Sequence, residues 1–184
     1  LSVNGESQGL YLIVEKPQQV LKKRFKAPFV MRRGYLNRIK VKYHSSKAPY
    51  RQKDYRRAYK SMYRGLSRYS GAELYAFLKQ RMNIDNYLMW LAANTFLQNG
   101  DYADEVFFYA RPGKPIYFDI MVWDMDDLFK PPHRSPLNNW WIFHRRLLRR
   151  SLLYSMEDRL DRAIAKDSFL YNKFRQKLKF LLNE

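Results

Sequence analysis

The amino-acid sequence predicts an α+β fold for a chain of 184 residues, in which a short antiparallel hairpin follows an amphipathic helix. Residues 106–110 and 116–122 are apolar runs of strand length, and the turn between them contains proline and glycine, which is typical of a β-hairpin. Residues 84–98 instead place apolar side chains three or four positions apart, as on one face of a helix. These two patterns together indicate a mixed fold.

The N-terminal third predicts a strand–turn–strand unit, a helix and a second hairpin. Residues 3–5 indicate the end of a strand and a turn, and residues 9–15 indicate a buried strand. Pro17 stands where a helix can begin, because proline fits the first helical position. Residues 29–31 and 35–43 indicate another short antiparallel pair.

Residues 44–71 form a basic, tyrosine-rich stretch that we interpret as an insert or connector. Tyr55, Tyr59 and Tyr63 are spaced four residues apart, which places them on one face of a helix. Either these tyrosines pack inward beneath a solvated basic face, or the basic and aromatic side chains bind a polyanion such as single-stranded nucleic acid. The sequence lacks the zinc-finger, RRM, KH and helix-turn-helix patterns that would indicate nucleic-acid recognition.

The second half of the chain is predicted to be mainly helical apart from the central hairpin. Asp85 is predicted to cap a helix that runs to about Gln98, and Gly100 is a natural stop beyond it. After the proline pair at 131–132, apolar spacing predicts three more helices, over 139–154, 156–166 and 169–182.

Composition excludes several classes of protein. A hydrophobic content of 46% with 17% aromatic residues is too high for a disordered chain. The absence of cysteine from the sequence excludes disulfides, thiolate metal sites and a cysteine nucleophile. No apolar run reaches the roughly 18 residues that a membrane-spanning helix needs, so we expect no transmembrane segment.

The charge is distributed unevenly. The chain holds 35 Lys and Arg against 17 Asp and Glu, which gives a formal net charge of +18. Residues 16–72 hold 18 of the basic residues and one acidic residue, whereas residues 73–127 hold nine acidic residues and four basic ones. An acidic segment therefore lies between basic flanks, and nucleic-acid binding does not follow from the net charge alone.

The acidic residues of this segment gather at the ends of predicted elements. The predicted hairpin pairs Ala110 with Ile116. Continuing that register places Asp124 level with Tyr102, beside Asp101. Carboxylates so close repel one another, and a hard cation such as Mg²⁺ or Ca²⁺ relieves the repulsion. The alternative is a set of solvated loop residues and Asx-turns.

Three segments carry a family resemblance. They are Val3-Asn4-Gly5 with Gly9-Leu10-Tyr11-Leu12-Ile13-Val14-Glu15, Asn99-Gly100-Asp101 with Phe107-Phe108-Tyr109, and Val122-Trp123-Asp124-Met125-Asp126-Asp127-Leu128-Phe129. In this order they resemble the CotH kinase family, the spore-coat protein-kinase-like phosphotransferases. The resemblance covers about residues 1–130. It implies an atypical protein-kinase-like fold, with part of the small lobe followed by a mainly helical large lobe.

The resemblance implies roles for the acidic residues. Asp101 matches the catalytic aspartate that orients or deprotonates the acceptor hydroxyl, and Asp124 matches the aspartate that holds Mg²⁺ against the nucleotide phosphates. Asp126 is expected to be a further ligand. The family usually carries a metal-binding Asn where this chain has Val106. Either Glu105 substitutes for that Asn, or a second metal ion is missing.

Two further residues are implied to contact the nucleotide. Glu15 ends the strand that resembles the one leading to the hinge between lobes. Arg33 belongs to a segment in which arginine can hold phosphate bidentately. The family's phosphate-positioning lysine lies on earlier strands that this sequence does not contain. We therefore interpret residues 1–184 as a single CotH-like kinase domain without those strands and the helix that follows them.

The resemblance implies an ATP- and Mg²⁺-dependent phosphotransferase that acts on Ser or Thr of a protein acceptor during spore-coat or cell-envelope assembly. The expected partner is an acidic or Ser/Thr-bearing protein, and the expected location is the spore coat, cell surface or envelope. The alternative is a catalytically inactive scaffold that holds an acidic partner through its basic surface. A nucleic-acid-binding protein is the third interpretation.

Overall fold

The computed structural model describes residues 2–3, 6–7, 15–34, 38–100, 102, 104–113, 115–129, 151–154 and 158–183. Within these residues the fold is α+β, with six helices and a four-stranded antiparallel sheet. The predicted fold class is therefore confirmed. None of the helices in these residues combines the length and the apolar character that crossing a membrane requires.

Within the described residues, the strands come in three consecutive pairs that are separated by helices. The strands are β1 (Ser2–Val3), β2 (Glu6–Ser7), β3 (Phe29–Arg33), β4 (Ile39–His44), β5 (Val106–Ala110) and β6 (Phe118–Val122). The helices are α1 (Pro17–Lys23), α2 (Gln52–Gly65), α3 (Gly71–Lys79), α4 (Ile84–Phe96), α5 (Arg159–Lys166) and α6 (Ser168–Asn183). β1 and β2 pair with each other, and the other strands form a sheet in the order β4-β3-β5-β6.

The sheet separates two hydrophobic clusters, because successive side chains of a strand point to opposite faces. On β3, Phe29 and Met31 belong to the larger cluster, to which α2 through α6 contribute. Val30 belongs to the smaller cluster, together with the fully buried Leu21 of α1. Helices α2 through α6 therefore cover one face of the sheet, and α1 covers part of the other.

The tyrosines of α2 pack into the larger cluster. Tyr55, Tyr59 and Tyr63 expose 1%, 2% and 6% of their surface. The ring of Tyr55 stacks on Phe29 with the ring centroids 4.7 Å apart. This confirms the interpretation in which the tyrosines of residues 44–71 pack inward and leave the basic side chains of the helix outside.

The start of α4 differs from the prediction. Its N-cap is Asn83, whose side-chain oxygen accepts a hydrogen bond from the backbone amide of Asn86 at 3.2 Å. The prediction of Asp85 as the cap is therefore wrong. The Asp85 carboxylate instead accepts from the hydroxyl of Tyr75 at 2.9 and 3.0 Å, which ties α3 to α4.

The other helices match the prediction in part. α1 begins at the expected proline, and α5 and α6 confirm the helices predicted over 156–166 and 169–182, with small shifts at their ends. α3 was not predicted. Residues 151–154 are not helical, so the end of the helix predicted over 139–154 is wrong. The rest of that helix and most of the strand predicted over 9–15 lie outside the described residues.

The register of β5 with β6 differs from the predicted one by two residues. Val106 pairs with Val122, and Ala110 pairs with Phe118. The predicted pairing of Ala110 with Ile116 is therefore wrong. The residues that follow β6 therefore face residues two positions away from those that the predicted hairpin places opposite them.

A clamp from the α3–α4 connection explains this register. The backbone amide of Phe118 donates to the carbonyl of Arg81 at 2.9 Å, and its carbonyl accepts from the amide of Asn83 at 2.9 Å. Met82 forms a bridge with the same residue. Because the clamp joins residues far apart in sequence, the local pattern of the hairpin does not contain it.

Asp119 adds side-chain hydrogen bonds to this junction. Its carboxylate accepts from Asn83 Nδ2 at 3.2 Å, from Asn86 Nδ2 at 3.0 Å and from Arg111 Nε at 3.1 Å. Burial alone raises the pKa of Asp119, but the hydrogen bonds from Asn86, Arg111 and Asn83 outweigh burial and hold the pKa below its ordinary value. The ionised carboxylate therefore stabilises the fold.

Replacing Asp119 with alanine should lower the free energy of unfolding by about 2–3 kcal/mol at pH 7, because charge-assisted hydrogen bonds are lost. Urea denaturation measures the loss. A lowered folded-state pKa contributes stability above the unfolded pKa that disappears as the pH falls through the folded value. The difference between wild type and Asp119→Ala should therefore shrink below about pH 4.

The exposed Glu73 of α3 provides the control for this measurement. Glu73→Ala should change the free energy of unfolding by less than about 0.5 kcal/mol. A cost for Asp119→Ala that stays the same down to pH 2, or that equals the cost of the control, would contradict the account of this junction.

Candidate metal centre

Three carboxylates converge at the edge of the sheet where β5 begins and β6 ends. Glu105, Asp124 and Asp126 each offer one oxygen, and these oxygens lie within 4.8 Å of one another. Glu105 exposes only 7% of its surface, whereas Asp124 and Asp126 are exposed. This acidic cluster therefore has a buried base and a side open to solvent.

Backbone pairing brings Glu105 and Asp124 together. The amide of Trp123 donates to the carbonyl of Glu105 at 3.1 Å, which continues the β5–β6 ladder one step beyond Val106 and Val122. Asp124 follows Trp123 directly. The observed register thus aligns the end of β6 with Glu105. This alignment places Glu105 close enough to Asp124 for both carboxylates to contact one cation, as the prediction of Glu105 as a substitute ligand requires.

The predicted neighbour of Asp124 is wrong for the same reason. The expected register placed Asp124 level with Tyr102. Tyr102 is 1% exposed and packs its ring against Trp90, with the ring centroids 5.3 Å apart. It anchors the loop between α4 and β5 and does not face the acidic residues across the hairpin.

The loop that carries Asp126 is tied to the end of α4. The amide of Gly100 donates to the carbonyl of Asp127 at 2.9 Å, and the amide of Phe129 donates to the carbonyl of Leu97 at 3.1 Å. Asp101, the predicted catalytic aspartate, lies outside the described residues. It follows Gly100 in the sequence, directly after this contact between the two loops.

Asp124 has an unusual backbone conformation. Its φ is +58°, in the left-handed region that residues other than glycine rarely adopt and that Asp and Asn tolerate best. A residue held in a sparsely populated region costs on the order of 1–3 kcal/mol, and such residues cluster at functional sites. The conformation singles out Asp124 among the acidic residues that follow β6.

Arg32 holds the loop that leads into β5. Its Nε donates to the carbonyl of Asp104 at 2.6 Å, and its Nη2 donates to Asp104 Oδ2 at 2.8 Å. Because Asp104 precedes Glu105, this two-point contact fixes the buried member of the acidic cluster. No role was predicted for Arg32 from the sequence. The alternation of side chains along a strand could have distinguished the two arginines, because neighbouring residues of a strand point to opposite faces of the sheet.

Arg33, which was predicted to contact the nucleotide, lies inside the larger hydrophobic cluster. Its side chain is 0% exposed, 3.5 Å from Asp158 Oδ1 and 3.4 Å from Asp161 Oδ2. It also donates to the hydroxyl of Tyr87 and lies 5.4 Å from the ring centroid of Trp90. The structure thus gives Arg33 the role of joining β3 to α5.

Burial shifts the pKa of the groups around Arg33. It raises the pKa of Asp161 to about 6, against the opposing charge of Arg33. It also raises the pKa of Tyr87, so that the phenol stays protonated. Burial lowers the pKa of Arg33 itself, but Tyr87 and the two aspartates raise it by more, and the guanidinium stays charged.

Glu15 lies beside α1 at the surface. Its carboxylate is 3.2 Å from Arg24 Nη2 and 3.7 Å from Lys23 Nζ, and its side chain is 35% exposed. These ion pairs fix it at the C-terminal end of α1. Most of the strand that was expected to lead into it lies outside the described residues.

Comparison with known proteins gives one match. The family model described as CotH kinase protein matches residues 1–184, the whole chain. No curated protein and no solved structure matches. The family match covers the acidic cluster and the residues on both sides of it.

Replacing Arg33 with methionine should lower the free energy of unfolding by about 3–5 kcal/mol, because it removes the fully buried cation that offsets two buried carboxylates. Urea denaturation followed by circular dichroism measures the change. Arg68→Met, at an exposed position, should cost less than about 0.5 kcal/mol. An Arg33→Met variant as stable as Arg68→Met would show that the buried ion pairs do not support the fold.

Proposed function

Since this chain belongs to the CotH kinase protein family, we propose that the protein is an ATP- and Mg²⁺-dependent phosphotransferase that acts on Ser or Thr of a protein acceptor. The observation that carries the proposal is the convergence of Glu105, Asp124 and Asp126 within 4.8 Å. Phosphoryl transfer needs positioning and charge neutralisation more than covalent chemistry, and this cluster supplies the anionic ligands for it.

The donor set of the acidic cluster fits Mg²⁺. This ion prefers oxygen ligands and usually takes one or two protein carboxylates, leaving its other positions to water and substrate phosphates. Glu105 offers an oxygen from the buried side, and Asp124 and Asp126 offer theirs from the open side. Mg²⁺ held there would neutralise charge on the phosphate oxygens of ATP.

The chain's own residues hold the ligands in place. The Trp123–Glu105 backbone pair and the left-handed conformation of Asp124 fix two ligands relative to each other. Asp101 is proposed to accept the proton of the acceptor hydroxyl. The hydrogen bond from Gly100 to Asp127 supports this role, because it holds the residue before Asp101 against the acidic loop.

The two residues that were predicted to contact the nucleotide have different surroundings in the structure. Arg33 is left out of the proposed site because its guanidinium is fully buried among carboxylates. Glu15 stays a predicted contact. Arg32 is proposed as a positioning residue, since it holds Asp104 directly before Glu105.

An exposed basic face on α2 favours a second candidate function. Arg56, Arg57, Lys60 and Arg64 all lie at the surface of this helix. A catalytically inactive scaffold would use such a face to hold an acidic partner. Following the family's link with the spore coat, we propose coat or envelope assembly as the setting of either function. A scaffold would keep its partner after Asp124→Asn and lose it after neutralisation of the face.

Mg²⁺ with ATP should raise the melting temperature of the intact protein. At about 100 times the dissociation constant the stabilisation is about 2.7 kcal/mol. For a chain of this size that corresponds to a shift of about 5–10 °C. Scanning fluorimetry with ATP alone, Mg²⁺ alone and both together measures it. A wild-type protein that shows no shift with both ligands contradicts the kinase proposal.

Asp124→Asn is the sharpest variant for the cation site, because Asn tolerates the left-handed backbone while its neutral amide removes the charge. It should lose the shift without a drop in the melting temperature of the unliganded protein. Asp127→Asn is the matched control, since Asp127 lies in the same loop but outside the acidic cluster. It should keep the shift; equal loss in both variants would assign the effect to loop charge in general.

Transfer of labelled phosphate from ATP to Ser- and Thr-containing proteins tests the chemistry. Loss of a general base costs about 10²–10⁴-fold in rate, so Asp101→Asn should reduce the labelled product by at least about 100-fold. It should retain the shift in melting temperature, whereas Asp124→Asn loses both. A wild type that binds Mg²⁺-ATP but labels neither an acceptor nor itself would support the scaffold.

A further inference from the structure

A pocket separate from the acidic cluster lies between α2, α5 and the start of β4. Its volume is about 430 Å³. The residues that line it are Ile39, Tyr59, Lys60, Tyr63, Arg64 and Arg159. Three of these six are cations, and none is acidic. We call it the basic pocket.

The cations of the basic pocket converge from two helices. Lys60 and Arg64 are four residues apart and therefore neighbours on one face of α2. Arg159 is the first residue of α5. Within the part of the chain that the structure describes, no carboxylate lies within 4.0 Å of Lys60 or Arg64. The two side chains of α2 thus add positive charge that no described acid offsets at close range.

A further cation lies close to the rim. Arg162 is one turn beyond Arg159 on α5. Burial lowers the pKa of Arg162, and the charge of Arg159 lowers it further against the opposing effect of Asp158 and Asp161. The two aspartates act on Arg162 more strongly than Arg159 does, so Arg162 is not counted among the cations that bind the anion.

The floor of the basic pocket is neutral. The hydroxyl of Tyr59 donates to the hydroxyl of Tyr63 at 2.9 Å, which in turn donates to Asp158 Oδ1 at 2.8 Å. Burial raises the pKa of both phenols, so they stay protonated. Because both protons are committed to this chain of hydrogen bonds, charge recognition falls to the three cations at the rim.

We propose that the basic pocket binds a phosphate monoester through Lys60, Arg64 and Arg159. Arginine binds phosphate in a bidentate fork and lysine adds a mobile point charge, which suits a compact dianion better than a single carboxylate. A volume of about 430 Å³ is that of a small-ligand site. It admits a phosphate group with the side chain that carries it.

The position of the pocket favours a phosphorylated peptide as the molecule that carries the phosphate monoester. This choice of ligand rests on the proposed function. Ile39 pairs with Arg33 at the end of β3, and Glu105 precedes β5 at the same edge of the sheet. With strands about 4.8 Å apart, the start of β4 and the end of β6 are separated by about 14 Å. An extended segment of about four or five residues spans that distance.

Fluorescence anisotropy with a short labelled peptide tests the pocket. The probes are one phosphoserine flanked by glycine and alanine, the same peptide with serine, and inorganic phosphate as a competitor. The phosphoserine peptide should bind the intact protein about 10- to 100-fold more tightly than the serine peptide, since charge-assisted hydrogen bonds are the difference between them. The double variant Lys60→Gln/Arg64→Gln should lose this preference.

The matched control is Lys53→Gln/Arg68→Gln, which removes the same charge from exposed positions outside the pocket and outside the basic face of α2. This control should keep the preference for phosphoserine. Asp124→Asn should keep it too, because this variant removes a proposed cation ligand and leaves the basic pocket unchanged; the pocket can therefore be tested independently of the kinase proposal. Displacement by inorganic phosphate at similar concentration shows that the phosphate group alone is recognised. Failure of inorganic phosphate to displace the peptide shows that the peptide contributes; both results support the pocket.

Three results would overturn the proposal. The first is equal binding of the phosphorylated and unphosphorylated peptides. The second is an equal loss of binding in the two double variants, which would assign the effect to the net charge of +18. The third is displacement of the labelled peptide by a single-stranded oligonucleotide at concentrations at which the unlabelled phosphoserine peptide does not displace it, which would assign the surface to nucleic acid.

Discussion

The alignment of β5 with β6 is the constraint on which the candidate metal centre depends, because it decides which acidic residues meet. Val106 pairs with Val122, and the ladder continues to Glu105 and Trp123. A shift of two residues would take Glu105 away from Asp124 and leave the buried carboxylate facing apolar side chains. The α3–α4 connection holds the alignment through the backbone of β6, so a contact far from the acidic cluster determines its composition.

Local patterns predicted the elements of the fold better than the contacts between them. The hairpin, α1, the tyrosine face of α2 and the two C-terminal helices follow from spacing and from turn residues. The register of β5 and β6 does not, since Phe118 is held by residues 81–83 and not by its own turn. The cap of α4 is Asn83 and not the predicted Asp85, because the hydrogen bond from the Asn83 amide to Phe118 fixes where that helix begins.

The residues of the acidic cluster could be predicted from the sequence, but their arrangement in space could not. Asp124 and Asp126 stand out in the sequence, and Glu105 stood as an alternative ligand. The pairing that joins them required the observed register. Arg33 shows the opposite case: a cation beside an expected phosphate site belongs to the core, where Asp158 and Asp161 compensate it. Neither acid is near it in sequence, so no local pattern reveals the pair.

The central claim is that Glu105, Asp124 and Asp126 hold a divalent cation. Paramagnetic broadening of amide resonances by Mn²⁺ tests it at residue level, because the effect falls steeply with distance from the ion. The account predicts that small amounts of Mn²⁺ broaden the amides of residues 104–106 and 123–127 first, that excess Mg²⁺ restores them, and that α2 and α6 stay sharp. Broadening that begins elsewhere, or that is uniform along the chain, would contradict it.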